Sequence, residues 1–186
     1  SPAFNDNSAS GQNDLVSERL QNFHFLNGSS ALKRALAYGY LSPKPDHDYI
    51  AARMLELADW YLLFDRRGAA LDLYEETLAL LSESNIPQPE IDRLFAAGLP
   101  VQAPDSPYQQ SADTRDYTGY IDVEFTLNKY GSASDTRLLK DTEADPEVIQ
   151  ELMRTIRRCK FRPKFSEGSV LNKETVKLRY FYKLNT

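Results

Sequence analysis

The residues that decide the fold are TGYIDVEFTLNKYGSASDTRLLK at 118–140 and ETVKLRYFYK at 174–183. Both stretches alternate between apolar and polar side chains, a period of two that is typical of a half-buried strand. The apolar members are Ile121, Val123, Phe125 and Leu127 in the first stretch, and Val176, Leu178, Tyr180 and Tyr182 in the second. The sequence therefore predicts two strands with one buried face, and a turn at 129–132 after the first strand.

A helix is predicted between these strands. Asp145 followed by Pro146 is a strong helix start, because a carboxylate can cap the first turn and proline fits its first position. Apolar residues then recur at helical spacing; they are Val148, Ile149, Leu152, Met153 and Ile156. The expected order is strand, turn, weaker strand, helix and strand. One amphipathic helix would cover one face of a small antiparallel sheet.

Several motifs of this C-terminal stretch match those of one known family. Gly119 opens the first strand, Gly131 lies in the hairpin, and RRCKFRP occupies 157–163. The stretch, about residues 105–184, resembles the C-terminal domain of the TonB family of energy transducers, whose helix ends in Arg-Arg-Trp-Arg-Tyr-x-Pro. The resemblance implies a β-β-α-β domain that binds proteins in the periplasm. The family's Gln-Pro-x-Tyr motif is absent, since the chain has DSPY at 105–108.

The segment HDYIAARMLELADWYLLFDRRGAALDLYEETLALLSES at 47–84 predicts two packed helices that meet near 66–68. The small residues Ala58 and Ala70 would let the helices approach closely, while Tyr61 and Tyr74 fill the space between them. The pattern resembles a tetratricopeptide repeat, which implies a concave, partner-binding face. That face would consist of Ala52, Leu55, Asp59, Leu62 and Leu63. Three exposed leucines would form an unusual apolar patch. We therefore expect the face to be covered, and we favour cover by another part of the same chain over cover by a partner.

The remaining segments complete a two-domain interpretation. Residues 1–13 are polar and predicted to be disordered, and two short helices should follow, separated at Asn27-Gly28 and ended by prolines at 43 and 45. A helical domain would span 14–98, a proline-rich linker 99–116, and the TonB-like domain 117–186. Residues 1–104 carry 8 Lys+Arg against 14 Asp+Glu, whereas residues 105–186 carry 14 against 13. This difference favours two separable domains, α+β overall.

Composition excludes some classes of protein. A net charge of −5 makes the chain a poor candidate for nucleic-acid binding. A single cysteine, Cys159, forms no intrachain disulfide and is interpreted as a core residue. No run of 18 apolar residues is present that would span a membrane. From the TonB resemblance alone, we expect a periplasmic location, with a signal or membrane anchor removed ahead of Ser1.

Candidate catalytic and metal-binding residues are few. Asp46-His47-Asp48 could ligate a metal, but a negatively charged helix start is the favoured interpretation. The acidic residues at 141, 143 and 145 are likewise interpreted as a solvated turn that caps the next helix. The two histidines and one cysteine show no nucleophile arrangement. The sequence therefore predicts no enzyme, no metal and no cofactor.

Two further sets of residues are predicted to bind a partner. The first is a basic stretch at the helix end: Arg157, Arg158, Lys160 and Arg162. Its cations would oppose the negative helix end, or dock on an acidic surface such as the helical region of the same chain. The second is the edge of the last strand: Thr175, Lys177, Arg179, Phe181 and Lys183. This edge could accept a partner strand, or its cations could discourage strand pairing; both alternatives remain open.

Taken together, the patterns and resemblances predict a non-catalytic interaction module of the periplasm. It would act as a TonB-like adaptor, or as an energy-transducer component linked to outer-membrane transport. The expected partner is a protein or peptide of the cell envelope, such as a segment of an outer-membrane receptor. The alternative is a structural envelope scaffold that packs or forms a homodimer without transducing energy.

Overall fold

The computed structural model describes residues 8–96, 98–102, 119–141, 143–166 and 168–182. Within these residues the protein is a mixed α+β chain, as predicted, with four helices ahead of its main sheet. The first four helices are α1 (Ser8–Leu41), α2 (His47–Leu63), α3 (Arg67–Glu83) and α4 (Gln88–Leu94). The later elements are β1 (Pro100–Gln102), β2 (Gly119–Asn128), β3 (Ala133–Asp141), α5 (Pro146–Arg158), β4 (Lys160–Phe161), β5 (Phe165–Ser166), β6 (Ser169–Val170) and β7 (Lys173–Tyr182).

Helix α1 is one continuous helix of 34 residues, so the predicted break at Asn27-Gly28 is wrong. Gly28 lies against the indole ring of Trp60, where a side chain on residue 28 would clash. The Trp60 Nε1 donates to the carbonyl of Phe25 at 3.1 Å. Glycine therefore serves close helix packing here and does not end the helix. Residues 8–13 of the segment predicted to be disordered also lie in α1, because extending a formed helix costs less than starting one.

Helices α2 and α3 form the predicted hairpin. Asp46 caps α2 by accepting hydrogen bonds from the backbone of Asp48 and Tyr49 at 3.0 and 3.2 Å. Ala58 and Ala70 are both fully buried where the two helices meet.

Within the described residues, no helix is long and apolar enough to cross a membrane.

The main sheet has the antiparallel order β3-β2-β7. Asn128 closes the β2–β3 turn by accepting from the backbone of Tyr130 and Ser132 at 2.9 and 3.1 Å. Strands β2 and β7 pair over ten residues without interruption, whereas the β2–β3 register shifts twice. The first and last strands of the domain are thus neighbours.

Helix α5 covers one face of this sheet and begins at the predicted Asp145 cap, which accepts from the Glu147 backbone at 2.8 Å. Leu152 and Ile156 of α5 pack in the same core as the inward side of β2 and β7. Cys159 follows the helix and is buried in that core, as predicted. The predicted helix-on-sheet arrangement is therefore present.

Short strands connect the helices to the sheet. Strand β1 pairs antiparallel with β4, joining Pro100 to Phe161. The predicted linker at 99–116 therefore begins with a paired strand, and its residues 103–116 lie outside the described part. Proline is tolerated there because it opens a short strand. Gly98 makes the approach possible, since its positive φ of 80° places its backbone against Val176 and Leu178 of β7.

A second core lies within the helices but includes a residue from the C-terminal half. Phe165 of β5 packs between Tyr74 and Phe95, with ring-centroid distances of 6.3 and 5.3 Å. These rings belong to the same buried cluster as Leu55 and Leu62 of α2. The helical region and the strands after α5 therefore share a hydrophobic core.

Candidate functional site

Among the described strands, β7 forms one edge of the three-stranded sheet. Its even-numbered residues face the core, so its odd-numbered residues lie on the outer face of the sheet. Of the predicted edge residues, Thr175, Lys177 and Arg179 are exposed and Phe181 is half-buried. Lys183 lies outside the described residues.

The cations of this outer face are bound to β2. Arg179 donates through Nε and Nη2 to the two carboxylate oxygens of Asp122 at 2.7 and 2.8 Å. Its guanidinium lies 3.9 Å from the ring centroid of Tyr120. Lys177 Nζ lies 3.5 Å from a carboxylate oxygen of Glu124. Both are favourable cross-strand charge pairs.

The hydrogen bonds from Arg179 hold the pKa of Asp122 below its usual value, and Asp122 in turn raises the pKa of Arg179. Both side chains therefore stay charged and paired at neutral pH. Their contacts run towards the middle strand of the sheet. Cations on an edge strand can also discourage strand pairing, and these two lie on the outer face of the sheet and pair with β2.

The opposite edge of the sheet, strand β3, is built differently. Its pairing with β2 shifts between Asp122 and Val123 and again between Glu124 and Thr126. Asp135 has a positive φ of 50°. Such irregularities disturb the backbone geometry that an added strand needs. The regular β7 edge is therefore the better acceptor of the two.

Two members of the basic stretch bind the helical region of the same chain. Lys160 Nζ donates to Asp65 at 2.8 Å. Arg162 donates from Nε and Nη2 to the two carboxylate oxygens of Asp59 at 2.8 and 2.6 Å. Its Nη1 donates to the carbonyl of Leu94 at 2.9 Å. The predicted docking on the acidic helical region is thus confirmed for these two cations.

The Arg162 contact is part of a larger network. Tyr74 also donates to Asp59, at 2.7 Å. Burial, with a further effect of Asp59, raises the pKa of Tyr74, so the hydroxyl remains a donor. The hydrogen bonds that Arg162 donates to Asp59 raise the pKa of Arg162, and the hydrogen bond that Lys160 donates to Asp65 lowers the pKa of Asp65. An ion pair with this shape joins the two halves of the chain at a defined angle.

Arg157 and Arg158 behave differently from the other two cations. Both are exposed in the last turn of α5, where cations oppose the negative end of the helix. Lys160 and Arg162 bind acidic side chains of the same chain, and the binding of an external partner by the basic stretch stays a prediction. The run of basic residues in the sequence predicted an acidic partner surface, but it did not show which acidic residues Lys160 and Arg162 bind.

The predicted concave face of α2 is covered from within the chain, as favoured from the sequence. Leu55 and Leu62 are buried, and Ala52, Asp59 and Leu63 are half-buried. Leu62 lies next to Gly131, whose positive φ of 70° brings the β2–β3 turn against the backbone of Phe161. The Leu62 end of this face is therefore covered by the C-terminal half of the chain, whereas Ala52 and Leu55 border a cavity.

The candidate metal and thiol groups have structural roles. Asp46 is a helix cap, and His47 is exposed beside it. Burial raises the pKa of the Cys159 thiol to about 11, so the reactive thiolate is disfavoured. Across the described ranges, no group of three or more His, Cys, Asp and Glu side chains could hold a metal ion.

Comparison with protein-family models and with curated proteins finds no match to this chain. The functional interpretation therefore rests on the β7 edge, the joined halves and the sequence resemblances. Sequence reasoning missed Phe165 as a residue of the helical core and Asp65 as the partner of Lys160. The apolar position in KFRPKF was the available signal for Phe165, but nothing in the sequence names its distant neighbours.

Proposed function

We propose that this protein is a non-catalytic interaction module that binds an extended peptide segment by strand addition at the β7 edge. In this proposal it is a TonB-like adaptor or energy-transducer component of the periplasm, linked to outer-membrane transport. Its helical region is tetratricopeptide-like and positions the sheet. The partner is a protein segment of the cell envelope.

The observation that carries the proposal is the regular edge at residues 173–179 of β7, whose cations are engaged with the neighbouring strand. Ten consecutive residue pairs with β2 hold this strand straight. An added strand would continue the backbone ladder, and its alternate side chains would lie beside Thr175 and Lys177 on the outer face. The TonB resemblance supports the same mode of binding.

The contacts between the helical region and the C-terminal strands support the proposed role as an adaptor. A sheet that accepts a pulled or tethered segment needs a rigid mount, and Arg162 and Phe165 attach the strands to α2 and α3. A partner bound at β7 would therefore be held in a defined orientation relative to the helices.

Amide hydrogen exchange by NMR tests the proposal. The probe is the peptide GYIDVEFTLN, which copies β2 (residues 119–128) and so already fits one side of β7. At a peptide concentration of about ten times its Kd, alternate amides of residues 173–179 should exchange about tenfold more slowly, because only the unbound fraction exchanges. Amides of β3 and α2 should keep their rates.

A matched control uses the same peptide with N-methyl groups at alternate residues. This change removes backbone donors and leaves the side chains intact, so the protection should disappear. Protection that persists with the methylated peptide, or that falls on β3, contradicts strand addition. Protection of β7 that rises with protein concentration in the absence of peptide would favour the alternative, a homodimer that pairs through this edge.

A further inference from the structure

A cavity of about 520 Å³ opens between α2 and α4, beside the bound side chain of Arg162. Its floor is apolar and is formed by α2, α3, α4 and the α3–α4 connection. The floor residues are Ala51, Ala52, Leu55, Leu81, Ile86 and Leu94. A cavity of this size accommodates one or two large side chains of a ligand.

Carboxylates surround this floor. Asp48 and Glu56 of α2 and Glu90 of α4 line the cavity. Glu56 pairs with Arg53 at 2.8 Å and Glu90 with Arg93 at 3.6 Å, each three residues along its own helix. The Glu90 pair is exposed and the Glu56 pair is half-buried, and pairs near the surface contribute little to stability. Both carboxylates can therefore turn to a cation of a ligand at small cost.

The cation at the end of the cavity does not offset this negative charge. Arg162 lines the cavity, but its guanidinium is bound by both oxygens of Asp59 and by the carbonyl of Leu94. Its charge is thus compensated inside the protein. A ligand in the cavity meets an apolar floor and a net negative rim.

The same helical surface already binds a segment of matching chemistry. In KFRPKF at 160–165, Lys160 binds Asp65, Arg162 binds Asp59, and Phe165 enters the helical core. The cavity continues this contact along α2 towards its N-terminus, with Asp48 and Glu56 in place of Asp65 and Asp59. The internal contact shows which chemistry this surface accepts.

We infer that the α2–α4 cavity is a second binding site, for a basic peptide segment of a partner protein. An apolar side chain of the segment occupies the floor, and flanking Lys or Arg side chains bind Glu56 and Glu90. The site shares no lining residue with the β7 edge and does not depend on strand addition. One protein could then hold two segments of a partner at once.

Fluorescence anisotropy with the whole chain tests this inference. The probe is a labelled acetyl-KFRPKF-amide, and acetyl-EFEPEF-amide is the acidic control of equal apolar content. The basic peptide should bind, with an affinity that falls as salt is raised, and the acidic peptide should not. The double variant Glu56→Lys with Glu90→Lys should weaken binding by about tenfold.

A matched double variant on α5 controls for charge and folding. Glu147 stands in the first turn of α5 as Glu90 does in α4, and Glu151 pairs with Arg154 as Glu56 pairs with Arg53. Glu147→Lys with Glu151→Lys should leave the affinity unchanged. Equal binding of both peptides, or equal loss in both double variants, overturns the inference. So do NMR shifts at Phe165 without shifts at Leu55, because the peptide then displaces the internal segment.

Discussion

Replacing Arg162 by alanine tests how the helices and the strands are joined. The side chains of Arg162 and Asp59 are only 19% and 21% exposed. Removing one partner of a buried ion pair costs about 3–5 kcal/mol, since the other charge stays buried. Because a fifth of each side chain still meets solvent, we expect about 3 kcal/mol here. For a chain of this length that corresponds to a melting temperature lower by about 6–12 °C.

Urea unfolding of the whole chain, followed by far-UV circular dichroism and by Trp60 fluorescence, measures this effect. Arg154→Ala removes an exposed arginine that pairs with Glu151 at 2.8 Å, and should cost at most about 0.5 kcal/mol. A triple variant with Asp59→Leu, Tyr74→Phe and Arg162→Met replaces the whole network by apolar side chains. It should recover most of the lost stability, since no buried charge is then left unpaired and only the Leu94 carbonyl loses a donor.

A loss below about 1 kcal/mol for Arg162→Ala would refute this reasoning. Transitions that differ between the two probes in the parent protein would also contradict it, because they would show that the helices and the sheet unfold separately. The sequence predicts such separability, with residues 105–186 folding alone. The shared contacts of Arg162, Phe165 and β1 lead us to expect one coincident transition instead.

Three further predictions concern single side chains. Gly98→Ala should lower the free energy of unfolding by about 2–4 kcal/mol in a denaturation experiment, because φ is positive there and a Cβ would lie 2.8 Å from a β7 side chain. Gly168→Ala is the control: residue 168 has the same positive φ, but no atom lies within 4 Å of the added Cβ, so the cost should be about 1 kcal/mol. Asp122→Asn should make the loss of folding stability in acid less steep. The Arg179 contact lowers the pKa of Asp122 in the folded protein. The stabilisation from this ion pair is therefore complete above the unfolded pKa of about 3.9 and is lost as pH falls through the folded pKa. A thiol reagent at pH 8 should label Cys159 only through unfolding, since burial raises its pKa to about 11, and fast labelling of the folded protein would contradict this.

The parts of the fold set by short-range patterns could be predicted from the sequence. Alternation predicted β2 and β7 and the apolar side of each strand. The Asp145 cap and the helix after it follow from neighbouring residues. Each of these features depends on spacing of two to four residues, which a sequence displays directly.

The features that the sequence could not show depend on distant residues. Gly28 has the signature of a helix end, and only the position of Trp60 reveals that it serves packing. The cations Lys160 and Arg162 suggested an acidic surface, but their partners Asp65 and Asp59 lie about a hundred residues earlier in the chain. The charge of a side chain predicts that its partner has the opposite charge, but not where in the chain that partner lies.

The separation of 103 residues between Asp59 and Arg162 also has a consequence during synthesis. At about 5–20 residues per second, the ribosome adds Arg162 roughly 5–20 s after Asp59. Throughout that interval the apolar face of α2, with Leu55 and Leu62, lacks its cover from the C-terminal half. Nascent helices form within microseconds, so they are present for seconds before the C-terminal half can pack on them. During that time the apolar surface of the helical region is accessible to aggregation or to a chaperone.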